Sequence, residues 1–403
     1  MRAQRIAFRL SGCFVFAGLC FACLVAASYA RRQDPQQTNR QQRPRTVGSQ
    51  GTTNTSAEEV SEGDVVRVET QLVSVPTVVT DRNGRPVPGL RVENFAVFED
   101  GRPQRVTNFA TTGAPFEIAL LLDTSGSTRE ELGLIREAAK AFVGALRSGD
   151  RVAIVAFNNA SQNGASVAAV EVLSALTSDR QLLSNAIDNI GTSNGTPFYD
   201  ALGRIAEQVF RDPPREEVRG RRAIVALTDG VDSTSNCGYD DARAKLLRAG
   251  LASYFIQVNT EDYVEDRLLK DCQDDGRLSL SAKQLERFRT LFVPRAQKED
   301  YQDFCRLGQF ERMDISRQLY NLARAEMNAM AKDSGGKNFA AADPQDARAA
   351  FAQVANEIGT QYSLGYYPSN KLHNGQFRQI KVELRNVKDA NARAREGYYA
   401  PKQ

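Results

Sequence analysis

The sequence holds a single histidine, His373, in 403 residues. That scarcity excludes Ser-His-Asp hydrolysis, HExxH zinc chemistry and His-rich transition-metal sites together. His373 itself falls in a polar turn and reads as a solvated loop residue. Beyond the apolar N-terminal stretch no two cysteines form a CxxC pair, which argues against a redox or zinc motif. No Gly-x-x-x-x-Gly-Lys loop and no Gly-x-Gly-x-x-Gly follows the apolar run at 116–122, so neither a phosphate loop nor a dinucleotide site is expected there. An excess of one charge is missing too. The formal balance of +3 offers no nucleic-acid surface.

What is present supports folded domains. A hydrophobic fraction of 41% with 20 Phe and 12 Tyr is enough for at least one substantial core. The length allows about two or three domains of ~100–200 residues. The N-terminus carries Arg2, Arg5 and Arg9, then an uncharged stretch over 11–30. That is the pattern of an export signal, and Ser28-Tyr29-Ala30 places small residues for cleavage after Ala30. Residues 1–30 are therefore expected to be a signal peptide. Two rivals stand behind it. The stretch is long enough to remain as a membrane anchor, and Leu10-Ser11-Gly12-Cys13 resembles a lipoprotein box but precedes the apolar run. Each version exports the chain, to a periplasmic, cell-surface or secreted location.

Cys13, Cys20 and Cys23 lie in the leader, leaving Cys237, Cys272 and Cys305. In an oxidising compartment one pair closes and one thiol stays free. Cys272–Cys305 is the favoured pair with Cys237 free, and Cys237–Cys272 is the alternative. Residues 31–61 are Gln, Arg, Pro, Thr, Ser and Gly with almost no large apolar side chain. Such a segment cannot offset its ordering entropy and reads as a disordered linker.

Residues 62–112 have β texture. Val66, Val68, Thr70 and Leu72 alternate, then Val73, Val75, Thr77 and Val79 alternate in the opposite phase, which predicts a bulge near Pro76. Asp81-Arg82-Asn83-Gly84 is a turn signal, and short strands are expected over 94–99 and 105–110. Alone, this unit is thin for a core. From 113 to 358 strands and helices alternate: strands at 116–122, 151–157, 167–173, 222–228, 253–258 and 338–340, and helices near 135–146, 179–190, 198–211, 239–249, 319–330 and 344–358. That rhythm predicts an open, mostly parallel sheet covered on both faces. The charged segment 261–312, with a helix at 281–292, interrupts it as an insertion. Strand texture returns over 359–403. The fold class expected is α/β, a doubly wound sheet inserted in a small split β-sandwich-like domain made by 62–112 and 359–403.

The chemistry gathers at the carboxyl ends of the strands, where doubly wound sheets bind ligands. Asp123-Thr124-Ser125-Gly126-Ser127 follows the strand 116–122. Asp123, Ser125 and Ser127 offer one carboxylate and two hydroxyls, oxygen donors that suit a hard divalent ion. Taken alone, the same residues could equally cap the next helix. Asp229 ends a second apolar strand, and Thr196 precedes another helix.

These residues, in this order, resemble the metal-ion-dependent adhesion site of von Willebrand factor type A domains. The resemblance covers 116–358 without the insertion. The whole layout resembles an exported bacterial group carrying that domain, through Asp81-Arg82-Asn83-Gly84, Glu99-Asp100-Gly101, Tyr362-x-Leu364-Gly365-Tyr366-Tyr367 and Gly397-Tyr398-Tyr399. The resemblance implies a magnesium site, with Mn²⁺ or Ca²⁺ as alternatives. Ser125, Ser127 and Thr196 would coordinate through hydroxyls, and Asp123 and Asp229 directly or through water. A protein partner would supply a further carboxylate. No enzyme activity, nucleic acid or membrane insertion is expected, unless the leader is retained. The alternative is a scaffold protein that binds through its β domain with a vestigial metal site. Metal-dependent hydrolysis ranks third.

Overall fold

The computed structural model describes residues 72–402 apart from 112, 127, 129–130, 163–164, 269–279 and 343–345. The leader, the linker, the alternation over 66–71, Ser127 and Cys272 lie outside the described residues.

Strands β5 (Glu117–Leu122) and β8 (Arg222–Thr228) are buried at every position, and β9 (Ala252–Val258) nearly so. Apolar runs with no polar alternation require cover on both faces, which a parallel sheet between helices supplies. They form the centre of a six-stranded sheet. Its other members are β6 (Arg151–Gln162), β7 (Ala165–Thr177) and β10 (Lys337–Ala341), in the order β10-β9-β8-β5-β6-β7. Only β7 runs antiparallel, as the edge partner of β6. One face is covered by α1 (Leu132–Ala145), α2 (Arg180–Asp188) and α8 (Ala347–Gly359), through Phe142, Leu183 and Phe351. The other is covered by α3 (Phe198–Arg204), α4 (Tyr239–Ala249) and the C-terminal half of α7 (Gln309–Ser334), through Leu202, Leu246 and Met330.

Two elements depart from the sequence reading within this sheet. The β6–β7 hairpin reaches well beyond 151–157 and 167–173, because an edge strand is held by backbone pairing and needs little apolar surface. The helix expected over 198–211 is α-helical only to Arg204 and continues as a π turn over Ile205–Val209.

Antiparallel strands from both ends of the chain make two further sheets. β1 (Val73–Asp81) pairs with β11 (Tyr362–Tyr366) and with β13 (Ala390–Ala394), and β4 (Val106–Ala110) extends β11. The second sheet orders β14 (Gly397–Tyr399), β12 (Phe377–Leu384), β2 (Phe95–Glu99) and β3 (Arg102–Gln104). Val75, Val79, Phe95, Tyr362, Leu364 and Ile380 share one core. The bulge expected near Pro76 is absent. Register runs unbroken through Pro76↔Ser363 and Thr77↔Tyr362, and β1 instead changes partner at Thr77, which pairs with both β11 and β13. The turn at Asp81 forms as expected: Asp81 Oδ1 accepts from the amides of Asn83 and Arg85, and Gly84 adopts φ +76.

The segment between β9 and β10 is helical. It holds α5 (Glu261–Leu268), α6 (Ala282–Phe292) and the start of α7, which begins inside the expected insertion and runs 26 residues. Leu268, Leu285, Phe288, Ile315 and Leu319 form a separate small core there. Ser281 caps α6 through a reciprocal box with Gln284. Cys305 is disulfide-bonded, while Cys237 is a free thiol. Among the described residues no helix is long and apolar enough to cross a membrane.

Candidate metal centre

β5 and β8 are parallel neighbours, with Leu122 opposite Leu227. Asp123 and Asp229 therefore leave the sheet side by side at its carboxyl edge, and the Asp123 amide donates to the Leu227 carbonyl at 2.9 Å. Both carboxylates are buried, at 0% and 3% exposure. Asp123 Oδ1 accepts from the Ser125 amide at 3.0 Å and Oδ2 from the Thr228 hydroxyl at 2.6 Å. Asp229 Oδ1 accepts from the Val231 amide at 3.0 Å and Oδ2 from the Thr260 hydroxyl at 2.8 Å. Thr260 also shares a hydrogen bond with the Tyr320 hydroxyl at 2.7 Å.

The electrostatics are unfavourable as they stand. Burial, and then the Asp229 charge, push Asp123 up from 3.8 to about 7, although its hydrogen bonds pull it down. Burial and the charge of Asp229 also push the Tyr320 hydroxyl well above its usual range. No cation pairs with Asp123 among the described residues. One hydroxyl stands out: Ser125 Oγ is buried with no partner at full hydrogen-bond geometry, although it is close enough to Asp123 to favour the charged carboxylate. Native proteins seldom leave such an atom unsatisfied without a reason.

Three loops meet at this edge. The Ser193 amide donates to the Thr124 carbonyl at 3.0 Å, tying the Thr196 loop to the Asp123 loop. The Thr196 amide donates to Ser233 Oγ at 2.8 Å, and the Ser233 amide donates back to the Thr196 carbonyl at 3.0 Å. Gly195 permits this approach, since a Cβ there would come within 2.6 Å of Thr234 Cγ2. Thr196 is itself buried. The structure thus brings Asp123, Ser125, Thr196 and Asp229 to one edge, while Ser127 lies outside the described residues. No group of three or more His, Cys, Asp or Glu side chains with a metal-binding arrangement occurs among the described residues, so any ion here must draw on hydroxyl donors.

Three participants were not foreseen. Thr228 stands next to Asp229 and could have been read from Leu227-Thr228-Asp229-Gly230. Thr260 and Tyr320 gave no sequence signal, because only the packing of α7 over the end of β9 brings them to Asp229. The insertion also touches the site's support. Ser281 Oγ donates to the Ser233 carbonyl at 2.6 Å, and Lys283 Nζ to the carbonyls of Thr234 and Ser235 at 2.9 and 2.7 Å. Arg287 bonds the Tyr199 hydroxyl at 2.7 Å and Glu326 at 2.5 Å. Helix α6 therefore clamps the loop that follows Asp229.

Residues 117–290 match the sequence profile of the von Willebrand factor type A domain, and the chain carries a domain of that family. Domains of this family generally mediate protein–protein interaction. Among solved structures, the von Willebrand factor type A protein from Catenulispora acidiphila is 12% identical with a TM-score of 0.39, covering 76% of this chain and 72% of that one. The von Willebrand domain of the type V pili tip protein Mfa5 from Porphyromonas gingivalis is 15% identical with a TM-score of 0.32, covering 62% and 96%. Proximal thread matrix protein 1 of the mussel byssus is 13% identical with a TM-score of 0.37, covering 60% of this chain. This chain spans about half the length of that mussel protein, 47% of it. No curated protein matches the sequence.

Proposed function

We propose that the chain is an exported, non-enzymatic binding protein that engages an acidic group of a protein partner through a divalent ion at the Asp123–Asp229 edge. The observation that carries this reading is the Ser125 hydroxyl, buried beside two carboxylates that repel each other. The donor set fits a hard cation. Oxygen is the only donor atom, and only two of the side chains carry charge, so a small divalent ion is not overcompensated. Ser125, Thr196, Asp123 and Asp229 would hold it, joined by Ser127 on the resemblance. Mg²⁺ is the expected ion, with Mn²⁺ and Ca²⁺ as alternatives. When bound, the ion supplies positive charge and a coordination position for a partner carboxylate.

The chain's own residues then have distinct tasks. Thr228 and Thr260 orient the two carboxylates, and the Ser233 contacts hold the Thr196 loop in place. With both aspartates committed to the ion, neither is left to act as a general base. The N-terminal arginines and the apolar stretch ending at Ala30 support export. The clamp made by α6 supports a role for the insertion in choosing the partner.

The test is capture of partners from the exported fraction with and without chelator, for the natural chain and for Asp123→Ala. Capture should be lost on chelation and in the variant. Capture indifferent to both would reject the metal bridge and favour binding through the β strands.

A further inference from the structure

A pocket of about 150 Å³ opens far from the acidic pair, between the C-terminal end of α4 and the strands β12 and β14. Arg222, which begins β8, lines it, so it lies towards the amino edge of the central strands. Among the described residues five cations line this pocket and no carboxylate does: Arg222, Arg248, Lys371, Arg378 and Arg395.

Two of the five are already matched. Arg222 Nε meets Glu117 at 2.7 Å, and Arg378 Nη1 meets Glu99 at 3.3 Å. The other three have no carboxylate partner among the described residues. Arg395 is the telling one. Its side chain lies in the wall at 7% exposure, and its Nε is buried with no hydrogen-bond partner. Its guanidinium lies over the Tyr398 ring, 5.3 Å from the centroid, with Tyr366 also nearby. Burial lowers its pKa to about 10, so the group remains charged at neutral pH. Arg248 lies over the Tyr399 ring at 4.8 Å, and Lys371 is exposed at the rim. A buried cation without a counter-ion is costly, and a fold retains one where something else completes it.

We propose that this pocket binds a compact divalent oxyanion, inorganic phosphate or a phosphomonoester group, held by Arg395 and Arg248 with Lys371 at the rim. Three uncompensated positive charges favour a doubly charged oxyanion over a single carboxylate, and guanidinium forks match its oxygens. The competing account is purely structural. The carbonyl end of α4 stops at Gly250, where an added Cβ would lie 3.1 Å from Arg395 Nη1, and a cation there is favoured by the helix dipole. That account predicts no effect of phosphate.

The experiment is calorimetric titration of the full chain with inorganic phosphate, in chelator and at ionic strength fixed with chloride. Chelator removes any divalent ion at the acidic edge from the result. Saturable binding at one site is expected, abolished in Arg395→Gln and weakened about tenfold or more in Arg248→Gln, as loss of a charge-assisted hydrogen bond implies. Arg248 is exposed, so its variant keeps the test sound should Arg395→Gln fail to fold. No heat beyond the chloride control, or equal affinity in Arg248→Gln and the natural chain, overturns the proposal. A second arm distinguishes sources with vesicles of phosphatidic acid. Sedimentation with vesicles that phosphate displaces assigns the site to a lipid headgroup. Phosphate binding without vesicle binding assigns it to a soluble phosphate.

Discussion

Strand β5 carries an acid at its first residue and another just past its last, and the fold treats them oppositely. Glu117 is 1% exposed and clamped between Arg151 Nη1 and Arg222 Nε, each at 2.7 Å. Asp123 is as deeply buried, has no cation beside it among the described residues, and faces a second carboxylate. A buried charge tolerates isolation only at a cost of several kcal/mol. At the amino edge the chain supplies the missing charge itself. At the carboxyl edge it supplies hydroxyls and a second acid, and leaves the positive charge to come from outside. The first end is structure, and the second has the character of a site.

The largest effect expected from breaking this contrast is at the completed end. Glu117→Gln removes the charge that two arginines share, and should cost about 3–5 kcal/mol in urea unfolding while leaving Mg²⁺ affinity unchanged. A variant as stable as the natural chain would erase the distinction between the two ends.

The incomplete end should instead respond to pH and metal. The folded pKa of Asp123 is raised from 3.8 to about 7, so the folded metal-free protein holds a proton that the unfolded chain has released over that interval. Its contribution to stability is therefore lost as pH rises from about 4 to about 7. A divalent ion should restore it, and Mg²⁺ affinity should fall about tenfold per pH unit below 7, since the proton and the ion compete. Calorimetric melting at pH 5 and pH 8, with chelator and with Mg²⁺, reads both effects. Identical curves with and without metal at pH 8 would count against the site.

Smallest is the effect of Ser125→Ala. Its hydroxyl has no partner at full hydrogen-bond geometry, so the stability of the chelated protein should change by no more than about 1 kcal/mol. Mg²⁺ affinity should nonetheless fall, measured by titration calorimetry. A stability loss without a loss of affinity would make Ser125 a structural residue.

The elements most legible in the sequence were those with one kind of neighbour. β5, β8 and β9 are covered on both faces and so read as unbroken apolar runs. The helix expected at 239–249 has those bounds, with acidic residues in its first turn and Gly250 at its C-cap. β13 was missed because its core-facing positions, Ala390, Ala392 and Ala394, are small and separated by polar residues. The bulge at Pro76 was expected from the change of phase in the alternation, whereas β1 keeps its register there and changes partner at Thr77. At the acidic edge, residue types and order pointed to Asp123, Ser125, Thr196 and Asp229, while Thr260 and Tyr320 come from elements whose packing no local pattern encodes.

By itself the sequence determined that two acids would stand at the ends of two apolar strands, since burial and strand length are local properties of composition. Only the tertiary structure decided which acids would be neutralised. The register of parallel β6 and β8 sets Arg151 and Arg222 on either side of Glu117, and sets no cation beside Asp123 among the described residues. Charge compensation depends on strand order, and strand order is fixed by how the helices pack.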